Sequence, residues 1–212
     1  MTTPPVQIRF DDLQPLGTVQ AGYQSYNVEM VEVIGGRFWK PYHSEARRNV
    51  EENDTTASRP PDTPAGMDPS LYQYRPPIDL TDPRLRRLAA ALGPAYVRVS
   101  GTWAHTVYFH DSDEPPPTTP PDGFGGVLTR QQWKGVIDFV EAVGGHLMTS
   151  FATGAGVRDE GGLWTSQQAR RLLDYTAAVG GTIAATEFMN EPTYAAMGGA
   201  PAGYDAAAFG RD

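Results

Sequence analysis

The chain has 212 residues, and its 25 Asp and Glu outnumber its 17 Lys and Arg for a formal charge of −8. That balance disfavours nucleic acid as a partner, because binding there rests on Lys and Arg contacts to phosphate. It also disfavours a long polyanionic polymer unless basic residues cluster locally. Without cysteine there is neither a disulfide nor a thiolate metal site.

No apolar run approaches the roughly 18 residues of a membrane span, so no membrane partner is expected. The opening segment MTTPPVQIRF lacks a charged region followed by an apolar one. No signal peptide is therefore visible, and the location is undetermined, cytoplasmic by default. Nineteen prolines and 23 glycines imply many turns and some long irregular loops.

In chain order, GTVQAGYQSYNVEM (17–30) reads as a first strand. A long loop over 31–81 follows, including the Pro-rich stretch 58–70. Asp82-Pro83 starts a helix with Pro at its first position, and Leu85, Leu88, Ala89 and Leu92 give it an apolar stripe. Gly93-Pro94 stops that helix, and AYVRVS (95–100) follows as a second strand. A second long loop, 101–128, contains another Pro-rich stretch at 111–126.

Two similar units come next, 36 residues apart, Thr129 to Gly145 and Thr165 to Gly181. Each opens with Thr followed three residues later by Gln, a capping-box pattern. The first helix carries Trp133, Val136, Ile137, Val140 and Val143 on one stripe, the second Ala169, Leu172, Leu173 and Val179. Each ends in Gly-Gly and runs at once into a strand-like segment, HLMTSFA (146–152) and TIAATEFM (182–189).

The order β-α-β-α-β-α-β calls for parallel strands joined by helical crossovers. Helix-to-strand turns are short, whereas strand-to-helix loops are long. In a (β/α)8 barrel the strand-to-helix loops build the catalytic face. The predicted fold is therefore α/β, the N-terminal portion of a TIM barrel with about four β/α units, one partial barrel domain spanning 1–212.

Alternation in AYVRVS turns Val97 and Val99 toward the helices and Arg98 and Ser100 toward the barrel axis. A buried arginine needs a partner. Glu187 and Glu191 are an even number of residues apart, which places both on one face of the fourth strand. Glu187 then sits deep, as a structural ion pair with Arg98, and Glu191 sits at the mouth, before strand-ending Pro192. His105 and His110 follow the second strand and could sit near the cleft, but the four histidines lack metal-ligand spacing and read more readily as ordinary surface or packing residues. No Gly-rich phosphate loop follows a strand, and no serine elbow is present. No metal and no cofactor is expected.

Asn190-Glu191-Pro192 at the end of a fourth strand resembles the signature of the large clan of retaining glycoside hydrolases with (β/α)8 barrels. TDPRLRRLAAALGPAYVRVSGTWAHTVYF (81–109) and EFMNEP (187–192) are similar to segments of glycoside hydrolase family 79, the heparanases and β-glucuronidases. The resemblance covers roughly 17–195. It implies that Glu191 is the general acid/base and that Asn190 hydrogen-bonds the sugar 2-hydroxyl. It places Thr102 in a turn lining the sugar site. Ser100 departs from the family's usual glycine. Asn27 and Glu29 are aligned loosely with the same subsite, and Trp103 offers a stacking platform.

The implied activity is that of a retaining, β-glucuronidase-like O-glycosidase acting on a glucuronide or related carbohydrate. Such an enzyme pairs its acid with a carboxylate nucleophile about 5–5.5 Å away. In this clan the nucleophile comes from the seventh strand, so it is expected outside this chain, which alone is expected to be inactive. The missing C-terminal half of the barrel is then a candidate partner. Two alternatives remain, a non-catalytic truncated remnant and a same-clan glycosidase acting on a neutral glycan.

Overall fold

A computed structural model describes residues 13–41 and 71–212; the Pro-rich stretch 58–70 lies outside the described residues. Its centre is a four-stranded, wholly parallel sheet of β1 (Ser25–Glu29), β4 (Tyr96–Ser100), β7 (His146–Ser150) and β8 (Ile183–Glu187), in that spatial order. Two small sheets flank it. β2 (Gly36–Trp39) pairs antiparallel with β3 (Tyr72–Arg75), and β5 (Val107–His110) pairs parallel with β6 (Gly126–Thr129). The helices are α1 (Met30–Ile34), α2 (Pro83–Ala90), α3 (Arg130–Ala142), α4 (Gln167–Ala178) and α5 (Ala206–Arg211). The molecule is thus mixed α/β with four parallel strands.

Strand alternation separates two faces. Val97, Val99 and Leu147 lie in the core with Trp133, Val136 and Val140 of α3 and Leu172 of α4. Trp133 is fully buried and still donates its indole N–H to Thr176 Oγ1 at 2.8 Å, so the large side chain carries no unpaired donor into the core. On the opposite face, register aligns Asn27 with Arg98 and Arg98 with Met148. Further along that face Glu29 is level with Ser100, and Ser150 with Glu187. This polar face opens at the carboxyl ends of the strands.

Local signals are met unevenly. Asp82 accepts from the amides of Arg84 and Leu85 ahead of Pro83, and Thr129 and Gln132 form a complete capping box on α3. The box predicted at Thr165 does not form. α4 starts at Gln167 behind Ser166, one residue later than a Thr165 cap would give, and the Thr165 hydroxyl donates to the Val157 carbonyl. Leu88, Leu92 and Leu173, predicted on apolar stripes, are exposed. α2 docks through Ala89 and the partly buried Leu85, so only one side of its stripe meets the core.

The predicted strands are also trimmed. The first occupies 25–29 rather than 17–30, because a 3-10 turn at Ala21–Tyr23 precedes it and α1 takes over at Met30. The segments read as long loops carry secondary structure: the described parts of 31–81 hold α1 and the β2–β3 pair, and 101–128 holds β5 and most of β6.

Candidate functional site

Arg98 lies at the centre of the polar face. Its guanidinium pairs with the Glu187 carboxylate, donates to Asn27 Oδ1 at 2.6 Å and donates to Asn190 Oδ1 at 2.8 Å. Glu187 also accepts from Ser100 Oγ at 2.5 Å, and Ser100 lies 2.7 Å from Ser150 Oγ. Each charge brought out of water here has a charged or polar partner. The pairing of Arg98 with Glu187 is the one that strand alternation calls for. The layer ties the ends of β1, β4, β7 and β8 to the segment after β8.

That segment differs from its sequence-based reading. The strand ends at Glu187, and Glu191 adopts φ 44°, ψ 60°, so it does not share a strand face with Glu187. A left-handed residue breaks the extended repeat, and such backbone is costly for a side chain bearing Cβ. Chain reversal delivers Asn190 and Glu191 to the strand ends all the same. Asn190 donates through Nδ2 to Thr102 Oγ1 at 3.1 Å and to Glu191 Oε2 at 3.4 Å.

Asn190 and Glu191 line a cavity of about 450 Å³ together with Glu29, Thr102, Trp103, Phe38, Trp39, Tyr72, Thr106 and Met197. Of the sequence-derived candidates, Glu29, Thr102, Trp103, Asn190 and Glu191 face this space, while Arg98 and Glu187 lie in the layer behind it. Asn27 supports the wall indirectly, donating to Glu29 Oε1 at 2.7 Å. His110 stands apart, its Nε2 3.0 Å from the Glu114 carbonyl.

Glu29 is the unusual acid. Burial pushes its pKa up, the charges of Glu32 and Glu191 push the same way, and the Asn27 hydrogen bond and Arg98 oppose them. Its Oε2 is buried with no hydrogen-bond partner among the described residues. That oxygen rests on Gly101, at φ 91°, where any Cβ would overlap it. Gly101 is therefore required both by backbone conformation and by the close approach of Glu29.

Four of the lining residues are aromatic, Phe38, Trp39, Tyr72 and Trp103. Trp39 and Tyr72 rings lie 4.7 Å apart at 30°, and Phe38 meets Trp103 edge-on at 5.3 Å. Phe38, Trp39 and Tyr72 escape sequence reasoning because GRFW and YQYR are four-residue pieces paired across a gap of more than 30 positions. Their aromatic composition is the signal that could have marked them as strands.

A lining that combines two carboxylates and an amide with four aromatic side chains suits a polyhydroxylated ring that has both polar edges and an apolar face. Among the described residues, no group of three or more His, Asp or Glu is arranged to hold a metal ion, and no helix is long and apolar enough to cross a membrane. No family model matches the chain, and no curated protein gives a significant match.

Proposed function

We propose that this chain is the acid/base-bearing portion of a retaining glycoside hydrolase, β-glucuronidase-like in its chemistry, built on the N-terminal part of a (β/α)8 barrel. The fold reading is supported by strand order. Each successive strand of the parallel sheet adds beside the previous one, β1-β4-β7-β8, without the reversal of a doubly wound sheet. The observation that carries the functional reading is Asn190-Glu191, presented at the strand carboxyl ends into an aromatic-walled cavity.

In this role Glu191 protonates the departing glycosidic oxygen and then takes a proton from water. Asn190, held by Arg98 and Thr102, offers an oriented amide to a ring hydroxyl, a contact useful where it strengthens in the transition state. Trp103 and the Trp39–Tyr72 pair take the apolar ring face. Glu29 is engaged by Asn27 at Oε1 and covered by Gly101 at Oε2, which suits a positioning acid better than a nucleophile. The nucleophile is expected from outside these residues, so the assay that tests the reading is binding.

A second reading, a neutral glycan, has its own support. The described residues lining the cavity include two carboxylates and no Lys, Arg or His to receive a uronate. Calorimetric titration with hydrolysis-resistant phenyl 1-thio-β-glucuronide and phenyl 1-thio-β-glucoside separates the two. Tighter glucuronide binding, weakened by Asn190→Ala, supports the first reading, and preference for the glucoside supports the second. Binding of neither, or binding that Asn190→Ala leaves unchanged, removes the glycoside reading.

A further inference from the structure

His105 is buried in the 3-10 turn Thr102–Thr106 that follows β4, at 2% exposure. Its carbonyl accepts from the amides of Thr153 and Gly154, both at 2.9 Å, which fixes its backbone. Its Nε2 lies 2.8 Å from the Asn190 backbone nitrogen. An amide N–H can only donate, so Nε2 is the bare nitrogen, and the neutral ring carries its proton on Nδ1. Nδ1 is buried without a hydrogen-bond partner among the described residues. It presses against Gly198, where any Cβ would overlap it.

Asn190 is held through its side chain by Arg98 and Thr102, and among the described residues its backbone N–H is held by His105. The next residue, Glu191, is the one non-glycine residue with positive φ among the described residues. A left-handed conformation of this kind persists where surrounding contacts over-determine it.

We propose that His105 is a positioning residue, whose neutral imidazole grips the Asn190 amide and sets the turn that aims Asn190 and Glu191 into the cavity. The site is then assembled only while the Nε2 lone pair is free. The functional meaning rests on the glycosidase reading, whereas the positioning itself does not. The charged groups that act on the ring are Glu187 of β8, which favours its protonation, and Arg98 of β4, which opposes it. The Pro192–Gly198 turn contributes Gly198 at the ring, and the 153–154 loop contributes backbone amides. Burial dominates and holds the pKa down to about 4, so the grip persists through neutral pH.

The test is NMR of the ¹⁵N-labelled chain. At pH 7 a scalar coupling across the hydrogen bond should join the Asn190 amide nitrogen to His105 Nε2, and the ring shifts should report the Nδ1–H tautomer. On acidification the Asn190 and Glu191 amide signals should move together with the His105 ring, with a midpoint near 4. His105→Gln retains an acceptor but cannot titrate, so it should keep the pH 7 positions of both signals and lose the acid step. His105→Leu should displace both signals at pH 7. If that variant does not fold, the coupling and the His105→Gln titration decide. Absence of the coupling, an Nε2–H tautomer, or an acid step that survives in His105→Gln would overturn the proposal. Failure of any glycoside to bind, with the coupling and acid step intact, would remove the sugar reading and leave the positioning role standing.

Discussion

Replacing Arg98 with Met tests the layer that carries the candidate site. The substitution keeps most of the aliphatic volume and removes three side-chain partners, Asn27, Glu187 and Asn190. Breaking a buried ion pair from one side costs about 3–5 kcal/mol. The Arg98 and Glu187 side chains remain 22% and 25% exposed, so water screens part of the loss, and about 2–3 kcal/mol is expected. Glu187→Gln keeps the shape and hydrogen bonds while removing the charge, and should cost about 1–2 kcal/mol. The double variant should be less destabilised than the sum of the two by at least about 1 kcal/mol, because each single change strands the other charge. Urea denaturation followed by tryptophan fluorescence measures all four corners of the cycle. For a chain of this size Arg98→Met should also lower Tm by about 5–10 °C. Additivity within about 0.5 kcal/mol would mean that the two residues are energetically independent and would refute the argument.

Three further substitutions probe the surroundings. Gly101→Ala places a Cβ at positive φ and into Glu29 Oε2. It should cost about 2–4 kcal/mol in urea denaturation, and an unchanged midpoint would rule out the close approach. Asp212 is buried in an ion pair with Arg158 at 2.8 Å and also accepts from the Tyr204 hydroxyl at 2.8 Å and the Trp164 amide at 3.0 Å. Asp212→Ala should therefore cost about 3–5 kcal/mol, and a loss below about 1 kcal/mol would contradict this packing. His105→Gln should alter the pH dependence of stability. The folded pKa, about 4, lies below the free value of 6.5, so the folded state binds fewer protons between them. The His105 contribution is present above the free value and is lost as pH falls through the folded one, by about 3 kcal/mol between pH 7 and 4. Parallel pH profiles for wild type and variant would contradict that sign.

Much of the scaffold is legible in the chain because its signals are local. The Thr129–Gln132 box, the Trp133 to Val143 stripe and the Gly-Gly stops each act within a few residues, and all serve one core. Alternation in YVRVS sorts valines from Arg98 in the same local way. The failures are non-local. Thr165 carries the same capping pattern as Thr129 but gives its hydroxyl to Val157, eight residues back. Glu191 looks like a strand residue because even spacing assumes the strand continues, whereas hydrogen bonding stops at Glu187 and the chain turns left-handed. The aromatic wall depends on β2 meeting β3 from a distant part of the chain. His105 gives no spacing signal because its partner is a backbone amide 85 positions away.

The central claim, that the cavity seats a glycoside with its bridging atom at Glu191, is tested most directly by a crystal structure of the chain with a bound phenyl 1-thio-β-glycoside. The account predicts the sugar ring against Trp103, a ring hydroxyl on Asn190, and the bridging sulfur within about 3–4 Å of the Glu191 carboxylate, close to the reach a general acid needs. A ligand seated outside this cavity, or one whose sulfur faces away from Glu191 with Asn190 untouched, would contradict it.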